Sequence, residues 1–308
     1  MQNERDRPEN PALPLSRHTL SPATPTEKRT PRSAWATAVI LLGLYALSFL
    51  DRQIMAMMIE PIRRDLQISD FQVSLLLGVA FAVLYTTCGL AAGSLVDRMA
   101  RRPLIAAGVT LWGAATAMCG LASTFVQLFF ARMFVGLGES VLTPAAYSML
   151  SDAFPARRLS LALAIFAVGT TAGAGISMIA GGALIEFVSE QASVSLWLLP
   201  DLQAWQLVFV IVGLVGIPLG FLIFLVPEPS RTGRTHTTTQ SWADTLRFMA
   251  TRKALWAAII MVYAPAAMLN YGVTLWTPSY MIRTFGWDIG SVGLALGLTC
   301  ALAGASGQ

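Results

Sequence analysis

The chain has 308 residues, of which 55% are hydrophobic and only 12% charged, with a formal net charge of +4 and a mean hydropathy of +0.61. A soluble domain carries about 45–50% apolar and about 25% charged residues, so a water-soluble globule is excluded. The apolar surplus lies in blocks of about 20 residues, enough for a helix to cross a ~30 Å hydrocarbon core, and the short alternation of barrel strands is missing. The fold class is therefore all-α integral membrane.

Residues 1–33 are polar and hold six prolines, the composition of a disordered tail rather than of a cleaved signal peptide. Helices are then expected at 34–58, 71–95, 103–122, 125–150, 158–186, 205–226 and 253–282. An eighth begins near 288 and is still running at Gln308. The segment 227–252 is a polar connector. Within it Ser241 and Asp244 make an S-x-x-D helix start before Leu246, Phe248 and Met249, which predicts a short amphipathic helix on the membrane surface.

Basic residues set the orientation. The tail holds six Lys/Arg, the 2–3 loop three (Arg98, Arg101, Arg102), the 4–5 loop two and the connector through Lys253 five, against three on the opposite side. Positive-inside bias places the N-terminus, Arg101 and Thr238 in the cytoplasm and Gln67 and Ser193 outside, as in a multi-pass protein of the cell (inner) membrane. The sequence pI of about 9.2 is thus a topology signal. No nucleic-acid partner is expected, because the basic loop lacks interleaved aromatics. Cys88, Cys119 and Cys300 sit in apolar blocks without CxxC spacing and read as small buried hydrophobes. No metal site and no cofactor are expected.

"VSLLLG" at 73–78 recurs as "VGLALG" at 292–297, an offset that also carries the first helix onto the seventh. With the long connector this suggests two six-helix halves in parallel repeat: 34–226 as an N-terminal bundle and 253–308 as the start of a second. A second half of equal length would run to roughly residue 445. The chain therefore reads as a fragment or a truncated product, with 253–308 poorly anchored and transport by the chain alone not expected.

Two stretches carry a family resemblance. "GSLVDRMARRPL" (93–104) resembles the G-x-L-x-D-R-x-G-R-[RK] signature of the major facilitator superfamily, with Gly93, Asp97, Arg98, Arg101 and Arg102 in place and Ala100 for the second glycine. "RMFVGLGES" (132–140) resembles the R-x-x-x-G-x-G signature on that family's fourth helix. "YALSFLDR", "GLGES" followed by Pro144, and "LWTPSYMIRTFGW" look like the Spinster-like and organic-anion symporter branches, which usually have Asn where this chain has Ser48. "GTTAGAGISMIAGG" (169–182) is similar to the antiporter signature in glycine spacing but lacks its Gly-Pro. The resemblance implies the major facilitator fold and alternating access. It also implies a gating role for the 93–102 loop as a cytoplasmic interdomain latch, and a monomer if full length.

Four charges lie inside predicted helices away from their end residues: Asp51, Arg52, Arg132 and Glu139. Each costs ~2.5–3.5 kcal/mol at a helix centre, so such residues face a cavity and pair. Arg132 and Glu139, seven apart, share a face that Thr143 continues, and Gly136 and Gly138 thin the helix beside it. Asp51 and Arg132 each lie seven residues from the outer end of their helix, ~10 Å deep, so a pair between them is open; Glu139 lies about twice as deep. Asp51 and Glu139 are the expected proton-coupling sites, with Arg52 and Arg132 as charge partners or anchors for an anion. The Spinster resemblance also implies coupling at these acids. A static ion pair that fixes packing is the structural alternative. Tyr45 and Ser48, on the first helix before the charges, are cavity candidates.

On the seventh helix Tyr263, Asn270 and Thr274 share a face, with Tyr271 and Trp276 nearby. This face is expected to touch substrate, although an interfacial aromatic belt explains Trp276 and Tyr280 equally well. The expected partners are a lipid bilayer, a proton and a small organic anion or lipid-like metabolite. An enzyme is the rival class, and it finds no support: "GLGES" has Gly138 where a nucleophile elbow needs serine, and no His/Asp/Glu group has metal spacing.

Overall fold

The computed structural model describes residues 32–190, 202–231 and 242–306. The tail as far as residue 31, together with Ser193, Thr238 and Ser241, lies outside the described residues. Every described element is helical: α1 (Arg32–Met57), α2 (Ile59–Asp65), α3 (Asp70–Arg98), α4 (Arg101–Gly120), α5 (Phe125–Ala153), α6 (Ala156–Glu190), α7 (Ala204–Leu225), α8 (Trp242–Thr251), α9 (Lys253–Phe285) and α10 (Ile289–Ser306). Seven of these, all but α2, α8 and α10, are long and apolar enough to cross a membrane; α10 is a shorter apolar helix. The chain is a multi-pass membrane protein. The short α2 was not expected, and the 2–3 loop shrinks to Met99 and Ala100 because Arg98 closes α3 and Arg101 opens α4.

Local chemistry explains the helix ends. Ser69 accepts from the Gln72 amide while the Gln72 side chain accepts from the Ser69 amide, a reciprocal cap that satisfies two orphan donors of α3. Thr124 caps α5 through the Gln127 amide. Pro103 falls in the first turn of α4, where a missing N–H costs nothing. Two helices are interrupted inside the membrane. Residues Leu76–Ala80 of α3 form a π-helical turn immediately before Phe81. In α5 the regular pattern lapses at Ser140 and Val141, just after Glu139, because Pro144 cannot donate to the Ser140 carbonyl.

Small residues set the spacing between helices. A Cβ on Gly138 of α5 would stand 2.6 Å from the Gly108 carbonyl oxygen and from the Trp112 amide of α4, whereas one on Gly136 would collide with the Phe81 carbonyl of α3. The two glycines therefore admit two neighbours. Along α6, Gly169 and Gly173 admit Leu42 and Ala46 of α1, while a Cβ on Gly175 would stand 2.7 Å from the Gly297 carbonyl oxygen of α10. The helix α10 is thus closely packed along α6. This corrects the expectation of a poorly anchored 253–308 segment for α10, whereas α9 is exposed from Lys253 to Tyr263 and beyond to Val273 apart from Trp256.

The buried apolar side chains form two clusters rather than one. The first holds Ile54, Met57, Ile62, Val73, Cys119, Leu128, Val135 and Trp205; the second holds Ala38, Leu44, Ile105, Trp112, Leu142, Met149 and Phe166. Asp51 falls between Leu44 and Ile54 on α1, Glu139 between Val135 and Leu142 on α5, and Thr116 between Trp112 and Cys119 on α4. A polar layer crosses the bundle where the two apolar clusters meet.

The repeat offset of 219 reappears as local geometry. Gln67 and Gly286, 219 apart, have φ of +50° and +67°. Two residues on, Ser69 and Asp288 each cap the amide three residues further, of Gln72 and Ser291. Val73 and Val292 are both buried.

The glycine contact generates a stability expectation. Gly138→Ala drives a methyl into backbone atoms of α4 that cannot swing aside, and it should cost about 1–3 kcal/mol. Gly93→Ala, where a Cβ meets open space, should be near neutral. Thermal unfolding of the two variants in detergent decides this; equal melting temperatures would rule out the close approach of α4 and α5.

Candidate functional site

The polar layer is built from α1, α4 and α5, with aromatic walls from α1 and α3. Asp51, Arg132 and Glu139 are each 2% exposed or less. Asp51 and Arg52 are adjacent, so their side chains leave α1 about 100° apart and reach different levels of α5. Asp51 Oδ2 accepts from Arg132 Nη1 at 2.7 Å, and its Oδ1 accepts from the Thr116 hydroxyl at 2.7 Å. Side chains on a helix tilt toward its N-terminus, which carries Arg52 down to the deeper acid. Arg52 Nε donates to Glu139 Oε2 at 3.1 Å, and its Nη2 donates to the same oxygen.

The Arg52 guanidinium also sits against three rings, 4.7 Å from the centroid of Phe81, 5.2 Å from Phe49 and 5.4 Å from Tyr85. Such contacts replace part of the hydration that a buried cation loses. Phe81 serves both cations, lying 5.8 Å from Arg132 as well. Three polar atoms of the layer are buried without a hydrogen-bond partner: Glu139 Oε1, Arg132 Nε and Gln53 Oε1.

Sequence reasoning had singled out the four charges but missed Thr116, Gln53 and the aromatic walls. Thr116, one of two threonines on an otherwise apolar stretch of α4, carries no pattern of its own; its meaning comes from the helix opposite. The cavity candidates scatter. The Ser48 hydroxyl donates to the Tyr45 carbonyl of its own helix at 3.0 Å, and Tyr45 stacks on Phe166 at 4.6 Å. Thr143 is half-buried on α5. On α9, Thr274 and Trp276 are half-buried, Asn270 is exposed, and Tyr263 and Tyr271 are 71% and 57% exposed. The structure therefore does not gather Tyr263 and Asn270 around the charged layer.

A second polar centre lies where α3 meets α4. Arg101, read from the sequence as part of a cytoplasmic gating loop, is fully buried. Its guanidinium donates to Glu228 Oε1 at 2.9 Å, to Asp152 Oδ2 at 2.5 Å, to the Ser148 carbonyl at 3.1 Å and to the Pro229 carbonyl at 2.6 Å. The backbone amides of Arg101 and Arg102 also donate to Glu228. Arg231 crosses to the carbonyls of Val96, Asp97 and Met99, the exposed negative end of α3. Asp97 and Arg98 are themselves exposed, and Gly93 is half-buried. Burial pushes the Glu228 carboxyl up, but the Arg101 guanidinium and the two amides outweigh it and hold the group below the ordinary carboxylate range.

A third centre joins α2 and α3 to α9 at the other end. Arg283 grips both oxygens of Asp70 at 2.7 and 2.9 Å and donates to Glu60 at 2.5 Å; Ser279 donates to the same Glu60 oxygen. Desolvation pushes Glu60 up, and the bonds from Ser279 and Arg283 more than offset it, leaving it lowered. Glu60 and Ser279 are 219 apart, the offset of the text match between 73–78 and 292–297.

Comparison with known proteins places this geometry. The family description of the Major Facilitator Superfamily matches residues 41–308, and the chain belongs to that family. It is 28% identical over 286 residues to an MFS-type efflux pump of Mycolicibacterium smegmatis, covering 91% of this chain and 62% of that protein. It is 27% identical over 225 residues to Protein spinster of Drosophila melanogaster, covering 71% of this chain and 35% of that protein. Among solved structures it resembles a bacterial homolog of the human lysosomal transporter Spinster, in an inward-facing and unoccupied conformation. The TM-score is 0.76 with 28% identity, over 89% of this chain and 61% of the other. A D-xylose–proton symporter shares the fold alone, at TM-score 0.58 and 13% identity. The chain spans less than two-thirds of the length of the two proteins and of the Spinster homolog.

Two expectations follow from the ion pairs. Arg132→Met strands the Asp51 charge in the interior and should cost about 3–5 kcal/mol, whereas Asp51→Leu with Arg132→Met should recover most of the loss. Thermal unfolding in detergent reads this out, and a double variant no better than the single one would mean the pair is not coupled. At the second centre, the low-lying Glu228 contributes stability that is present above the unfolded carboxylate value of about 4.3 and fades as pH falls through its folded value. Glu228→Gln should therefore cost about 1 kcal/mol at neutral pH, given its partial exposure, and the difference should vanish in acid. A constant difference across pH would show that the charge is not what matters.

Proposed function

We propose that this member of the Major Facilitator Superfamily belongs to a proton-coupled secondary transporter that moves a small organic anion or lipid-like metabolite by alternating access. The observation that carries the reading is the pair of buried carboxylate–arginine contacts at the junction of the two apolar clusters. Two acids and two bases within one largely buried layer form a closed electrostatic unit, and adding one proton leaves one arginine in excess. That excess is unfavourable in a low-dielectric interior, so protonation and the arrangement of α1, α4 and α5 are linked. An arginine freed from its carboxylate is also the natural anchor for an anion. The named relatives, an efflux pump and Spinster proteins, agree with transport as the activity.

In this reading the N-terminus, the Arg101 centre and the connector lie on the cytoplasmic side of the cell (inner) membrane, and the Arg283 centre lies outside. Residues 34–226 form one bundle, 253–308 begin a second, and 227–252 link them, with α8 lying along the surface. The Arg283 centre then holds the outer ends of the two halves together, while Arg101 ties the inner ends of α4 and α5 to the connector. The transporter works as a monomer, without cofactor or metal.

The decisive experiment uses the complete gene product in vesicles with an imposed pH gradient, screening labelled small carboxylates and lysophospholipids. Asp51→Asn and Glu139→Gln should abolish proton-driven accumulation and retain downhill exchange. Accumulation that survives in both variants would make the pairs structural. Orientation is tested separately on a background without Cys88, Cys119 and Cys300. The exposed Gln67→Cys should label from outside intact cells, and Arg98→Cys only after permeabilisation. Position 101 is buried and would not report. Labelling of position 98 from outside would reverse the topology.

A further inference from the structure

We infer that Thr116 is the positioning residue that holds Asp51 as a fixed negative charge, so that an incoming proton goes to Glu139. This deepens the proton-coupled reading above and rests on it.

Helical threonines commonly send their hydroxyls to their own backbone. Thr37, Thr87, Thr277 and Thr299 each donate to the carbonyl four residues back in their own helix, at 2.9, 2.7, 2.6 and 2.8 Å. That is the ordinary fate of a threonine in an apolar helix. Thr116, 1% exposed, departs from it and turns its hydroxyl across to Asp51 on α1. The self-contained bond gives way to one with a neighbour's carboxylate.

The two acids are then occupied differently. Both oxygens of Asp51 are engaged by donors, Oδ2 by an arginine that can only donate and Oδ1 by the threonine. A proton on Asp51 weakens the charge-assisted bond from Arg132 or forces the Thr116 hydroxyl to turn from donor to acceptor. Glu139 takes both Arg52 bonds on Oε2, and its Oε1 is buried with no partner. Glu139 thus offers an oxygen that a proton can occupy without breaking an existing bond.

The other charged and titratable neighbours do not alter this. Arg132 and Glu139 face Asp51 from α5, and Cys119 from α4. Tyr85 on α3 and Tyr271 on α9 interact with Arg52. Along α7 there is no ionisable side chain, and α6 carries Arg157, Arg158, Glu186 and Glu190 only near its ends.

Infrared difference spectroscopy of the purified 308-residue chain, stepped from pH 8 to about pH 5, reads each carboxyl through its protonated C=O stretch. The wild type should show a band that Glu139→Gln removes and Asp51→Asn leaves in place. Thr116→Val, which keeps the shape and deletes the donor, should add a second band that Asp51→Asn removes. Thr116→Ser should restore the single-band spectrum, and Thr116→Ala provides a second deletion should the valine variant fold poorly.

A Thr116→Val or Thr116→Ala spectrum identical to the wild type, even with a lowered melting temperature, would make Thr116 a packing residue and overturn the proposal. So would a wild-type band that depends on Asp51. If no band responds to Glu139→Gln, the proton-coupled reading of Glu139 falls, while the second band in Thr116→Val still decides the role of Thr116.

Discussion

An unpaired charge inside hydrocarbon is too costly to keep, and the architecture of this chain follows from that constraint. Asp51 and Arg52 are consecutive on α1, so they cannot neutralise each other across a helix whose successive side chains diverge. Each must find its partner elsewhere, and α5 supplies both, Arg132 at one level and Glu139 about two turns deeper. The partners can meet only if α5 lies close to its neighbours. Gly136 and Gly138 make that possible by removing the side chains that would hold α3 and α4 away. Composition, glycine placement and charge placement are consequences of one requirement.

The same requirement divides the interior. Apolar packing forms two clusters, and the charged pairs fall between them along α1 and α5. Phe49, Phe81 and Tyr85 suit that level because their faces accept a cation while their bulk excludes water. The π-helical turn at Leu76–Ala80 ends at Phe81, so the irregularity in α3 coincides with the ring that touches both arginines. Irregular backbone at such depth is tolerated where protein surrounds it.

At the two ends of the bundle arginine plays a different part. Arg101 gathers carbonyl and carboxylate oxygens from α5 and from the segment after α7, and Arg283 gathers carboxylates from α2 and α3. These are planar donors with several N–H groups, suited to binding several chain segments at once. Neither centre is a feature of one helix. Each exists only where three or four segments converge.

What the sequence determined by itself is the part governed by local or one-dimensional physics. Hydrophobic blocks of spanning length fixed the helices, and charges inside those blocks had to be partnered whatever the fold. The 219-residue offset was visible as a faint text match, and it corresponds to shared turn geometry at Gln67 and Gly286. The signature around Arg101 pointed to the family, but spacing alone put that arginine in a cytoplasmic loop and carried no sign of its burial. Only tertiary structure could show it buried, because its partners Asp152 and Glu228 lie 51 and 127 residues away. Thr116 was illegible for the same reason: a hydroxyl in an apolar helix defaults to its own backbone, and nothing within its helix announces a carboxylate opposite. The chain's local chemistry chose which elements form and which groups need partners, whereas long-range packing chose the partners.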